Sequence, residues 1–105
     1  MAIQDSANLS LDRNSVSGSA KTVTIPAGTK IRGGSGTDGS GSVPCRSCLI
    51  KVGAASVGVY MQIGATAANT DWPLSTTAIP VPIDDLNKLY FLGTAADKVH
   101  ILYRS

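Results

Sequence analysis

The tightest constraint in this chain is a period of two. Val57, Val59, Met61 and Ile63 alternate with Gly58, Tyr60 and Gln62, so extended backbone gathers four apolar side chains on one face, whereas a helix scatters them around its axis. The pattern recurs at Lys21–Ile25, where Val23 and Ile25 alternate with threonines, and at Lys98–Tyr103, where Val99, Ile101 and Tyr103 share a face. Composition points the same way. Ser, Thr and Gly make up nearly a third of the 105 residues, and there are seven Asp but no Glu. The residues that populate exposed helix faces are scarce, and those that favour strands and turns are abundant.

Between these segments the punctuation is that of short strands. Pro26-Ala27-Gly28 is a turn, because proline presets φ and glycine accepts positive φ, and it leads into a strand over Thr29–Arg32. Residues 33–42, GGSGTDGSGS, hold nothing that packs a core and read as a mobile loop. Val43–Val52, with Leu49, Ile50 and Val52 together, reads as a strand buried on both faces. Gly64–Thr77 reads as a long loop pinned by Trp72-Pro73-Leu74, with Trp72 as a plug into the core. Ile79-Pro80-Val81-Pro82-Ile83 is restricted to a sheet edge, since proline donates no ladder hydrogen bond. Asp84–Asn87 reads as one 3₁₀ turn capped by an aspartate, and Lys88–Leu92 with Lys98–Tyr103 as a hairpin around Gly93–Asp97. About seven short strands with regular turns predict an all-β fold: a single antiparallel β-sandwich or small barrel over residues 21–105. Residues 1–20 form a polar N-terminal arm in this reading, with only Leu9, Leu11 and Val16 to bury. The length suits one domain, since domains run roughly 50–250 residues.

The residues that could carry chemistry are few and incomplete. Nine basic residues lie singly along the chain, for a net charge of +2, without the clustered stripe of a nucleic-acid surface. No apolar run approaches the roughly 18 residues of a membrane span, and residues 1–10 lack the charged and apolar segments of a signal peptide. The sequon at Asn8-Leu9-Ser10 carries little meaning without secretion. Gly34-Ser35-Gly36-Thr37-Asp38-Gly39 matches a dinucleotide fingerprint, but Val43-Pro44 and a strand follow where the phosphate-binding helix belongs. Cys45-Arg46-Ser47-Cys48 has redox-motif spacing, yet it also runs into a strand. Side chains three apart on a strand face opposite ways unless the backbone turns at Pro44, and one histidine cannot complete a four-ligand zinc site. Two ordinary thiols, reduced and metal-free, are expected. His100 lacks a nucleophile elbow to serve. Asp84 and Asp85 diverge, and Asp12-x-Asn14 reaches Val16 where a calcium loop needs oxygen. The expectation is a protein without catalytic residues, cofactor or metal.

The stretch Trp72–Arg104 carries a family likeness. Its Ile79-Pro-Val-Pro-Ile strand, Asp85-Leu-Asn-Lys-Leu-Tyr-Phe-Leu-Gly93 and Val99-His-Ile-Leu-Tyr-Arg104 resemble the C-terminal hairpin of small β-rich virion proteins of tailed bacteriophages, most of all capsid decoration or cement proteins. Val23-Thr-Ile-Pro-Ala-Gly28 is at home in the same group, while the C-x-x-C departs from it. The resemblance implies a non-enzymatic structural protein, made in the host cytoplasm, that sits on the outer capsid surface of the virion. It would bind the major capsid protein, commonly as a trimer, with no nucleic-acid or membrane partner. Leu9, Leu11 and Val16 of the arm are the candidate capsid or subunit contacts. Two alternatives stand beside it: a phage tail, neck or receptor-binding component, and a soluble carbohydrate- or peptide-binding module using Trp72, Tyr60 and Tyr90 as an aromatic platform.

Overall fold

Strands form where branched and aromatic residues alternate with polar ones: β1 (Ser19–Thr24), β2 (Lys30–Arg32), β3 (Ser47–Val52), β4 (Val59–Ile63), β5 (Trp72–Leu74), β6 (Ile79–Val81), β7 (Leu89–Leu92) and β8 (Lys98–Arg104). The computed structural model describes residues 18–104. These strands make two four-stranded antiparallel sheets, ordered β1-β8-β3-β6 and β2-β7-β4-β5. The fold is an all-β sandwich. Its core takes the inward residue of every second position: Val23, Cys48, Ile50, Val81, Val99 and Ile101 from the first sheet, Val59, Met61, Leu89 and Phe91 from the second. Each large aliphatic or aromatic side chain so buried contributes on the order of 1.5–3 kcal/mol.

Four expectations are corrected. The segments Leu89–Leu92 and Lys98–Arg104 do not form a hairpin. β7 pairs with β2 and β4 in one sheet, whereas β8 lies between β1 and β3 in the other. Residues 93–97 therefore cross from sheet to sheet, held by Ala96 N–H to Ile25 O at 2.9 Å and Ile25 N–H to Asp97 O at 2.8 Å, with Ala96 itself at φ 76°. β3 buries only one face. Cys48, Ile50 and Val52 point inward, while Lys51 is exposed and Leu49 half-buried. Trp72-Pro73-Leu74 is an eighth strand, not a loop anchor, and Trp72 is 61% exposed. Finally, residues 33–42 are folded back on themselves. Gly34 N–H donates to Gly39 O, and Ser35 and Gly41 exchange both backbone hydrogen bonds. Gly39 sits at φ 73°, and a Cβ there would come 1.9 Å from Arg32 O, so the chain doubles back at a spacing that only glycine allows.

The alternation over 57–63 holds in part. Val59 and Met61 are buried, but Val57 and Ile63 emerge at the two ends, 81% and 46% exposed. The 3₁₀ turn is confirmed at Leu86–Lys88, with Asp85 as its cap, as is the edge position of the proline strand.

Among the described residues, all four sheet edges are blunted. β2, β5 and β6 are only three residues long. Pro80 faces Leu49 across the ladder, and a proline tolerates only a position whose missing N–H would have pointed away from the partner. β1 is longer, but Lys21 alternates in phase with buried Val23, a lysine on the core-facing side of an edge strand. Such edges resist pairing with another sheet.

Candidate functional site

The described carboxylates hold loops. Asp85 accepts from Val43 N–H at 2.9 Å and Asn87 N–H at 3.0 Å through Oδ1, and from the Ser42 hydroxyl through Oδ2. The Ser42 bond, with smaller help from the two amides, keeps its carboxyl below the ordinary aspartate range. Asp84 is held low by Lys88, 2.6 Å away on the surface, and Asp38 by Ser40, whose hydroxyl and amide both donate to it. Asp71 accepts from Ala68 N–H at 2.7 Å and from the Gln62 side chain. Buried Asp97 accepts from Val57 N–H at 3.2 Å. Two of these bonds, Ser40 N–H to Asp38 and Asn87 N–H to Asp85, are ones for which aspartate's short side chain is suited, since it reaches the backbone two residues on.

The other candidates are equally embedded. Cys45 and Cys48 are free thiols, and both are buried. The expectation that they face opposite ways fails because β3 begins only at Ser47. Ahead of it the backbone turns, with Pro44 bridged to Asp85 and Arg46 N–H bonded to Arg104 O. Each thiol donates to a carbonyl, Cys45 to Ile83 O at 3.4 Å and Cys48 to Val81 O at 3.6 Å. Burial, and then the neighbouring Cys45, pushes the Cys48 thiol up to about 12. Cys45 is raised too, by burial and then by Asp85 and Asp84. A thiol so raised is a poor nucleophile. His100 lies on the outer face of β8, its Nδ1 3.2 Å from Thr22 Oγ1. The G-x-G-x-x-G tract is the glycine turn described above. Among the described residues, no three His, Cys, Asp or Glu side chains gather as they would to hold a metal ion.

What stands out instead is apolar. Trp72 is in register with Met61, so it belongs to the inward-facing row of its sheet, but β5 is the last strand and the ring hangs over the open side of the sandwich. There it lines a groove of about 330 Å³ with Met61, Ile63, Ile79, Val81, Pro80 and Pro82. Tyr60 and Tyr90 lie on the opposite, outer face of the same sheet, where the Arg32 guanidinium stacks 4.6 Å from the Tyr90 ring centre. The three aromatics therefore do not form one platform. The outer face of the first sheet carries a second apolar feature, a row across its strands formed by Ala20, Leu102, Leu49 and Pro80, which are mutual register partners. Leu102 is 40% exposed. Leu9, Leu11 and Val16, the contact residues expected from the sequence, lie outside the described residues. Sequence reasoning missed the groove; its signal was two short apolar segments that carry prolines, Trp72-Pro73-Leu74 and Ile79-Pro80-Val81-Pro82. No family model, curated protein or solved structure matches the chain.

Proposed function

We propose that this chain is a non-enzymatic structural protein of a tailed-phage virion that binds the outside of the assembled capsid and stabilises it. Its partners would be the major capsid protein and sister copies, as a trimer on local threefold sites, with Leu9, Leu11 and Val16 contributing contacts. The observation that carries this reading is the treatment of the sheet edges. A protein held in many copies side by side on a lattice is exposed to edge-to-edge pairing at high local concentration. Here every edge among the described residues is short, proline-bearing or burdened with an inward lysine. The likeness of Trp72–Arg104 to decoration proteins supports it in sequence alone, since its last two strands lie in different sheets, and carboxylates tied into turns suit a domain whose work is mechanical. The test is imaging of virions from the phage that encodes the chain, with and without its gene. Many copies on the outer shell, and heads that release DNA at lower temperature without them, are expected. A few copies at a single vertex would assign the chain to the tail or neck, and absence from the particle would overturn the reading.

A further inference from the structure

Three observations converge on the groove beneath Trp72. First, it is apolar and open: Trp72 and Ile63 are 61% and 46% exposed, and Pro80 and Pro82 form its rim. Because those prolines offer an occupant no backbone N–H, the groove favours filling by side chains over strand addition. Second, the apolar row Leu102–Leu49–Pro80 runs across the outer face of the first sheet and ends on that rim. Third, the register places the start of the fold at the same level. Ser19 pairs with Tyr103, Tyr103 with Cys48, and Cys48 with Val81, so the chain enters β1 opposite the groove, three strand spacings or about 14 Å away. Leu102 leans toward that entry: a Cβ on Gly18 would lie 2.9 Å from its Cδ1.

From these we infer that residues 1–17 dock on the chain's own sandwich, with Val16 on the Leu102–Leu49 row and Leu11 and Leu9 in the Trp72 groove. The reach fits. At about 3.3 Å per extended residue, Val16 extends about 10 Å from Ser19, to the middle of the row, and Leu11 and Leu9 about 26 and 33 Å, past the rim with slack for the turn into the groove. These are also the branched apolar residues of the segment nearest the fold, otherwise set among Asn, Ser, Asp and Arg. Lys51, two residues along β3 from Leu49 on the same face, offers a cation to Asp12 as it crosses. The docked segment covers apolar surface that would otherwise draw in a second molecule. The inference concerns the isolated chain and stands apart from the virion reading.

Trp72 is the only tryptophan, so its emission reports on the groove alone. The full chain is compared with the double variant Leu9→Asn/Leu11→Asn, with far-ultraviolet circular dichroism confirming that both are folded. Docking predicts blue-shifted, acrylamide-protected emission in the parent, and a red-shift with stronger quenching in the variant. The tether supplies an effective concentration of millimolar order, so the parent's protection should survive dilution and micromolar free peptide of residues 1–17. Identical emission and quenching in the two proteins would overturn the inference. So would protection lost on dilution, which would place the segment on a second copy.

Discussion

Replacing Asp85 by alanine removes the acceptor on which one corner of the sandwich hangs. Its carboxylate joins the 42–43 backbone to the 3₁₀ turn, and that turn carries Leu86, which is fully buried. Loss of an N-cap costs about 0.5–2 kcal/mol. The amide of Val43 is bonded across a sequence distance of 42 residues, so its loss also loosens a long-range closure. Hydrogen bonds to a charged acceptor contribute about 1.5–3 kcal/mol where well shielded, less where water competes, and a total near 2–3 kcal/mol is expected for Asp85→Ala. For a domain of this size that lowers the thermal midpoint by roughly 10–20 °C. Asp85→Asn is the discriminating control. Its amide oxygen can still accept from Val43 and Asn87, its NH₂ can donate to Ser42, and only the charge is lost, so it should retain most of the stability at neutral pH. The pH dependence has a definite sign. Because the folded carboxyl titrates below its unfolded value, its contribution is complete above about pH 4 and fades as pH falls through the lower folded pKa. Asp85→Asn should flatten the acid limb of the stability profile without abolishing it, since Asp38 and Asp84 are lowered too. Scanning calorimetry from about pH 2.5 to about pH 7, a range that spans the carboxyl titration, reads all of this. If Asp85→Ala melts with the parent, or Asp85→Asn falls as far as Asp85→Ala, the loop-holding role is wrong.

The thiols should be silent toward a thiol reagent such as dithionitrobenzoate at neutral pH and react only on unfolding, because Cys48 is pushed up to about 12 and Cys45 is also raised; rapid labelling of both in the native protein would contradict the burial argument. Gly39→Ala should destabilise by at least about 1–3 kcal/mol, the scale of a forced backbone conformation, given its positive φ and a Cβ position 1.9 Å from Arg32 O. Gly58→Ala, with open space around it, should stay within about 0.5 kcal/mol of the parent, and equal denaturant midpoints for the two would show that the glycine turn is soft.

How far the sequence discloses this molecule depends on how local each feature is. The cap at Asp85 and the edge position of Pro80 follow from the chemistry of one or two residues, and both are as expected. Strand positions follow from alternation, although Val57 and Ile63 show that the period continues past the core into solvent. Pairing does not follow. Val99, Ile101 and Tyr103 alternate equally well whether β8 lies beside β7 or between β1 and β3, because period two specifies a face and leaves the neighbour open. The choice is made by the sheet-to-sheet crossing at 93–97, whose closure on Ile25 joins residues far apart in sequence. The glycine tract misleads for a related reason: composition alone reads as slack, whereas its order comes from close backbone approach that the absence of side chains permits. Trp72 misleads because a residue can belong to the inward row and still stand in solvent when its strand is the last in the sheet.

The central place of β8 bears on how the molecule comes into being. Among the described residues β1 has β8 as its only ladder partner, and β3 has β8 on one side, so the first sheet cannot be assembled until residues 98–104 have been synthesised. A ribosome-bound chain can join β4 to β5 early, but β1 must wait for residues 98–104 with its threonines and valine unpaired. The β4–β5 pair can therefore nucleate ahead, while both sheets close late, when their central strands β7 and β8 have been made. Folding should be slow for so small a domain, as its contacts are mostly long-range, and a nascent chain stalled before residue 98 should remain open to proteases however much of the sequence has already emerged.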